Sequence, residues 1–154
     1  MADENDKING TTGGFTSAGL KTEEAALVLP VFDVAAALEI GQIAYEIATN
    51  RGINPAIEVR IGEWIVFHAS LPGTNSENDW WMGRKARVVL LTGHSSMHER
   101  VLAEERGVDW YLETGLSEEL HAIHGGGLAL NVAGHGLAGV LLISGLPQVD
   151  DHLL

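Results

Sequence analysis

The stretch PAIEVRIGEWIVFHAS, residues 55–70, decides how the chain folds. Ile57, Val59 and Ile61 alternate with Glu58 and Arg60, the two-residue period of a half-buried strand. Gly62-Glu63 follows, a Gly-X pair suited to a two-residue hairpin turn. Ile65, Phe67 and Ala69 then alternate with Trp64, Val66 and His68 on the return. Two strands joined by so short a turn must run antiparallel.

The flanking segments repeat the theme. LALNVA (128–133) and LAGVLLIS (137–144) are strand-like runs around Gly134-His135-Gly136, a second hairpin. ALVLPVF (26–32) is a further extended run, which Pro30 confines to a sheet edge or a strand end. Helical patterns separate these runs. Asp33 can cap a helix over 34–50, where Leu38, Gly41, Tyr45 and Ala48 recur at helical spacing and Asn50-Arg51-Gly52 provides the stop. Residues 78–106 read as a long helix, with a kink or break near Gly93 and an end at Gly107. Ser117 can cap a short helix over 118–124, stopped by Gly125-Gly126-Gly127. The fold class is therefore α+β: an antiparallel sheet covered by helices, rather than a parallel doubly wound sheet.

The chain has 154 residues, enough for one domain with a core. Residues 1–21 are rich in Gly, Thr, Asn and Asp and read as a flexible tail, leaving 22–154 as a single domain. Thr22, before Glu23 and Glu24, can cap a short helical turn. Cysteine is absent, which excludes disulfides, thiolate metal sites and a cysteine nucleophile. The acidic start MADENDKING lacks the features of a secretory signal, and the expected location is cytoplasmic. A net charge of −12 repels phosphate backbones and anionic lipid, so nucleic acid and membranes are not expected partners.

Several motifs carry chemistry only on paper. GHGLAG (134–139) fits a dinucleotide fingerprint, but VLLIS follows it where a helix would be required. GHSSM (93–97) starts like a nucleophile elbow, yet Met97 takes the place of its second glycine. His94 and His98 are four apart, and His121 and His124 three apart, so each pair shares a helical face. His94 and His98 are the candidate metal ligands, with Asp151 as a third; the plain reading is hydrogen-bonding histidines near helix ends. GRKAR (83–87) sets cations in an acidic chain, fit either to hold a carboxylate or phosphate or to line a solvated helix face. Trp80 and Trp81 read as core or subunit-interface residues. SGLPQVDDH (144–152) ends a strand and puts Asp150, Asp151 and His152 where they could cap a helix or face a ligand.

FDVAAALEIG (32–41), LPGTNSENDWWMGRK (71–85), Ser95-Ser96, HGGG (124–127) and SGLPQVDDH, in that order, resemble the haem-degrading domain family (GlcG/HbpS-like), most closely its single-domain branch of hypothetical proteins. The resemblance covers roughly residues 25–154. It implies an α/β sandwich similar to profilin-like folds, with about five antiparallel strands flanked by helices, and assembly into homo-oligomers. It also implies a C-terminal helix after the Asp-His pair, which would need residues beyond 154. Matching residue by residue, the positions that would line a shared pocket are His68, Asn78, Arg84, Lys85, Ser95, Ser96, His124, Gly125, Ser144, Asp151 and His152. Arg84 and Lys85 would meet an anionic group, with His68 or His124 nearby. Haem is the cofactor that the resemblance brings in, although members of the family are also linked to glycolate or diol metabolism. The expected function is an oligomeric small-molecule-binding protein, of haem or another anionic ligand. The alternatives are a non-catalytic scaffold and a metal-dependent enzyme on an organic acid.

Overall fold

The computed structural model describes residues 16–26 and 28–145. Its elements are α1 (Ser17–Ala26), α2 (Val34–Asn50), β1 (Ala56–Ile61), β2 (Trp64–Ser70), α3 (Ser76–Thr92), α4 (Ser96–Glu105), α5 (Trp110–Thr114), β3 (Gly127–Val132) and β4 (Gly136–Ser144). The strands form one sheet in the order β2-β1-β4-β3. Every neighbouring pair is antiparallel, as the hairpin pattern predicts.

Both hairpins stand where the sequence puts them. Gly62 turns the first at φ +58, in the left-handed region that glycine enters without a Cβ penalty. The register of this hairpin has one irregularity. Ile61 faces Trp64 and Arg60 faces Ile65, but Val59 faces Phe67. Val66 is thus an extra residue, a bulge that reverses the parity of the rest of β2.

Helices cover both faces. On one, α2 packs Ala44 and Ala48 against Ile57, Leu71 and Ile143, with Phe67 and Ala69 joining them. On the other, α3 packs Met82, Ala86 and Val89 against Ala56, Val140 and Leu142. Beyond α3, Val88 meets Ala103 of α4 and Trp110 of α5. The outermost contact joins Leu20 of α1 to Met97 and Val101 of α4.

The expected caps form at α2: Asp33 accepts from the Ala36 N–H at 2.8 Å. The expected long helix over 78–106 divides at Gly93, which ends α3 at φ +73. Gly83 leaves α3 unbroken. The N-cap is Asn75, whose box partner is Asn78.

Three expectations need correction. Among the described residues the sheet has four strands rather than about five, because the run ALVLPVF contributes a parallel bridge between Leu29 and Val132 there rather than a ladder. Pro30 comes next and has no N–H with which to extend the ladder. Residues 17–21, read as the end of the tail, lie in α1, which starts before Thr22. Its anchors are the buried Leu20 and two hydrogen bonds, 2.9 and 2.6 Å, from Ser17 N and Oγ to the Glu105 carboxylate. Residues 118–124 form a turn on Ser117 rather than a helix, since the Glu118 and His121 carbonyls are taken by Arg84. The short helix α5 was not expected: it is capped by Asp109, whose carboxylate accepts from the amides of Tyr111 and Leu112, and five residues are too few to show helical periodicity in the sequence. Among the described residues no helix is long and apolar enough to cross a membrane.

Gly41 is where α2 rests on the sheet. A Cβ there would collide with the Phe67 ring. Helix propensity alone would make Gly41→Ala stabilising by about 1 kcal/mol. Overpacking is expected to outweigh this and give a net loss of about 1–2 kcal/mol in urea unfolding. A rise in stability would show that the ring yields freely.

Candidate functional site

Helix α3 carries the site. It begins beside the ends of β2 and β4 and runs across the sheet, so successive turns meet different parts of the fold.

In the first turn, Asn78 Nδ2 donates to Ser144 Oγ at 3.3 Å, tying the helix start to the end of β4. In the next turns come the basic pair. Arg84 and Lys85 are both buried, 6% and 3% exposed, which for charged side chains demands partners. Arg84 lies between Trp80 and Trp81, its guanidinium carbon 4.4 and 4.3 Å from their ring centroids. Its Nη2 donates to the carbonyl oxygens of Glu118 and His121. Lys85 Nζ donates to the Ile143 carbonyl at 2.8 Å. The two tryptophans are thus walls for a cation, and Trp80 remains half-exposed.

The serine pair satisfies backbone groups. Ser95 caps α4 by accepting from the His98 N–H at 3.1 Å. Ser96 Oγ accepts from the Gly127 N–H at 3.0 Å. Gly127 is required by this approach: a Cβ there would lie 3.0 Å from Ser96 Oγ and 3.3 Å from Lys85 Cβ. The glycine run that includes the buried Gly125 therefore lets β3 start against α3 and α4.

His124 sits at the head of that run. Its ring meets Trp81 edge-on, with centroids 4.7 Å apart. Its Nδ1 is buried and has no hydrogen-bond partner among the described residues. Burial, and then the charges of Arg100, Lys85 and Arg84, lower its pKa from 6.5 to about 4. At neutral pH this is an uncharged imidazole in a positive field.

His68 belongs to an adjoining cluster. Its Nδ1 is 3.0 Å from Glu58 Oε1 and its Nε2 is 2.8 Å from Ser70 Oγ. Asp79, in the first turn of α3, is 3.6 Å from the same Nε2. Glu58 is buried and also receives Arg60 Nε at 2.6 Å.

The structure therefore joins Asn78 to Ser144, Lys85 to the residue before Ser144, Ser96 to Lys85 through Gly127, and Arg84 to His124 through Trp81. His68 adjoins the same helix start. Ser95 is turned to its cap. Asp151 and His152 lie outside the described residues. His94 and His98 stack with centroids 4.3 Å apart, but no third metal ligand joins them among the described residues. Two clefts of about 100 and 210 Å³ beside α4 and α5 are lined by Ala103, Val108, Trp110 and their neighbours; the larger also takes in Arg100 and Glu118, but neither is lined by a residue expected from the sequence to form the pocket.

Glu58, Ser70, Asp79 and Arg100 were not singled out in the sequence. Strict pairing from the Gly62-Glu63 turn puts His68 opposite Ile57; only the Val66 bulge brings it opposite Glu58.

The elements described define an α+β domain, and comparison gives its family. The sequence model described as haem-degrading protein HbpS-like matches residues 32–154, and the chain belongs to that family. A UPF0303 protein of Streptomyces avermitilis is 37% identical over 135 residues, 88% of this chain and 83% of the relative. A UPF0303 protein of Rhizobium leguminosarum bv. trifolii is 39% identical over 132 residues, 86% of this chain and 79% of the relative. Among solved structures, the Ybr137w protein superposes with a TM-score of 0.82 at 24% identity, covering 99% of this chain and 90% of that one. The PduOC:heme complex gives 0.63 at 20% identity, with 81% and 88% covered. HbpS gives 0.58 at 20% identity, with 79% and 83% covered. At these identities the three structures share the fold.

The His124 environment has a pH signature. The folded state binds its proton only near pH 4, whereas the unfolded state binds one near 6.5. Its contribution to stability is complete above pH 6.5 and is lost as pH falls towards 4. NMR titration of the ring should give a midpoint near 4, and His124→Gln should flatten the stability profile across this window. A midpoint near 6.5 would refute the positive field.

Proposed function

We propose that this chain binds an anionic small molecule of the haem class beside His124, as part of a homo-oligomer. The observation that carries the reading is the buried Nδ1 of His124, without a hydrogen-bond partner among the described residues, on a ring held neutral by burial and by three nearby cations. A neutral imidazole nitrogen is the form that ligates iron or accepts a proton. The surrounding positive charge favours a ligand bearing carboxylates.

The residues fit haem in a restricted sense. His124 would face the iron, and haem would supply redox chemistry when bound. Arg84 and Lys85 act through their field, because both already donate to backbone carbonyls. Trp81 orients His124 from the side. Asn78, Ser144 and Ser96 fix the helix and strand ends around the site. Support also comes from the HbpS-like family and from the fold shared with a protein solved as a heme complex.

A second reading, an oligomeric scaffold without catalysis, draws on exposed apolar side chains. Val34, Leu38 and Tyr45 on α2 and Trp64 and Ile65 on β2 are 39–61% exposed. Such side chains suit a subunit interface.

Titration with haemin and with iron-free porphyrin separates the readings. Haem binding predicts a saturable Soret shift, weakened at least tenfold by His124→Gln, with porphyrin binding unaffected by that change. No saturable binding of either compound would refute the haem-class ligand and leave the scaffold.

A further inference from the structure

Ser70, His68 and Glu58 stand in the order of a nucleophile, a base and an orienting acid. Ser70 Oγ is 2.8 Å from His68 Nε2, and His68 Nδ1 is 3.0 Å from Glu58 Oε1. Burial grades in the direction that acyl transfer needs: the Glu58 side chain is 4% exposed, that of His68 33%, and Ser70 is exposed. We propose that this cluster is an acyl-transfer site, with Ser70 as nucleophile, acting on small uncharged or cationic carboxylic esters.

The tautomer follows from the partners. The Glu58 carboxylate receives Arg60 Nε at 2.6 Å and can only accept, so His68 Nδ1 carries the hydrogen and donates it. Nε2 is left with its lone pair towards the Ser70 hydroxyl, the arrangement that activates a serine. Glu58 and Arg60 are positioning residues. The charged groups that face His68 are Glu58 and Asp79. Asp79 is 3.6 Å from Nε2 and would stabilise the imidazolium that forms as the proton arrives. Its charge also disfavours anionic esters, hence the substrate class.

The bulge at Val66 builds the site. It places Glu58 opposite His68 and turns Phe67 and Ala69 to the α2 face. His68 and Ser70 then point with Glu58 to the other face. Bulges that aim a side chain in this way are common next to active sites.

The chemistry balances without a cofactor. Ser70 Oγ bonds to the ester carbonyl carbon as its proton passes to Nε2. The carbon–oxygen bond to the alcohol breaks, and Nε2 returns the proton to the departing alkoxide. Water then attacks the acyl-serine, giving its proton to Nε2. That proton passes back to Ser70 Oγ as the acid leaves. The net reaction is ester plus water to acid plus alcohol.

The test is labelling of the full chain with a fluorophosphonate, read by intact and peptide mass, beside p-nitrophenyl acetate hydrolysis. One adduct at Ser70, abolished by Ser70→Ala and slowed at least tenfold by His68→Gln, is expected, with ester turnover falling in parallel. Both positions are solvent-facing, and circular dichroism checks that the variants fold. No adduct, or labelling at the same rate in Ser70→Ala, would overturn the proposal. This result is independent of haemin binding at His124.

Discussion

The burial of two adjacent cations on α3 is the constraint on which the rest of the structure depends. Arg84 Nη2 and Lys85 Nζ, both taken out of water, donate to carbonyl oxygens. Burying charge is costly unless the remaining donors are met, so the chain must bring carbonyls to them. The 118–121 turn bends to offer two, and the end of β4 offers another. Trp80 and Trp81 supply π faces to the guanidinium. One dipeptide thereby fixes α3 against a loop on one side and against the sheet on the other.

The electrostatic consequence appears at His124. Burial disfavours a charged ring there, and the positive charge of Arg84 and Lys85 adds to the effect. With Arg100, this charge and burial hold the imidazole neutral. The same arrangement that secures the fold therefore prepares a nitrogen lone pair in a positive environment. At the other end of the helix the signs differ. Asp79 and Glu58 make the His68 cluster negative, so the two histidine sites flanking α3 suit ligands of opposite character.

The fold was largely legible in the sequence because the strands alternate and the turns are marked by glycine. Both hairpins, the Asp33 cap and the Gly93 break could be read directly. What alternation could not show was the bulge. Counting from Gly62-Glu63 pairs His68 with Ile57, and a single extra residue, Val66, changes that partner to Glu58. The fifth strand was overread because an apolar run suggests a full ladder, while Pro30 limits it to one bridge. The turn at 118–124 was overread because helical spacing cannot reveal that Arg84 competes for the carbonyls. Site residues came from motif order and family resemblance. Their grouping around α3 was not legible, because contacts such as that of Ser96 with Gly127 join residues 31 apart in the chain.

The measurement that tests this account most directly is native-state amide exchange on Lys85→Met beside the unaltered chain. The substitution keeps apolar bulk and removes the donor to the Ile143 carbonyl. If buried charge organises the sheet end, protection should fall by at least tenfold at Ile143 and Gly127, with α2 little changed. Unchanged protection at both amides would show that Lys85 serves a ligand rather than the fold, and would contradict the account.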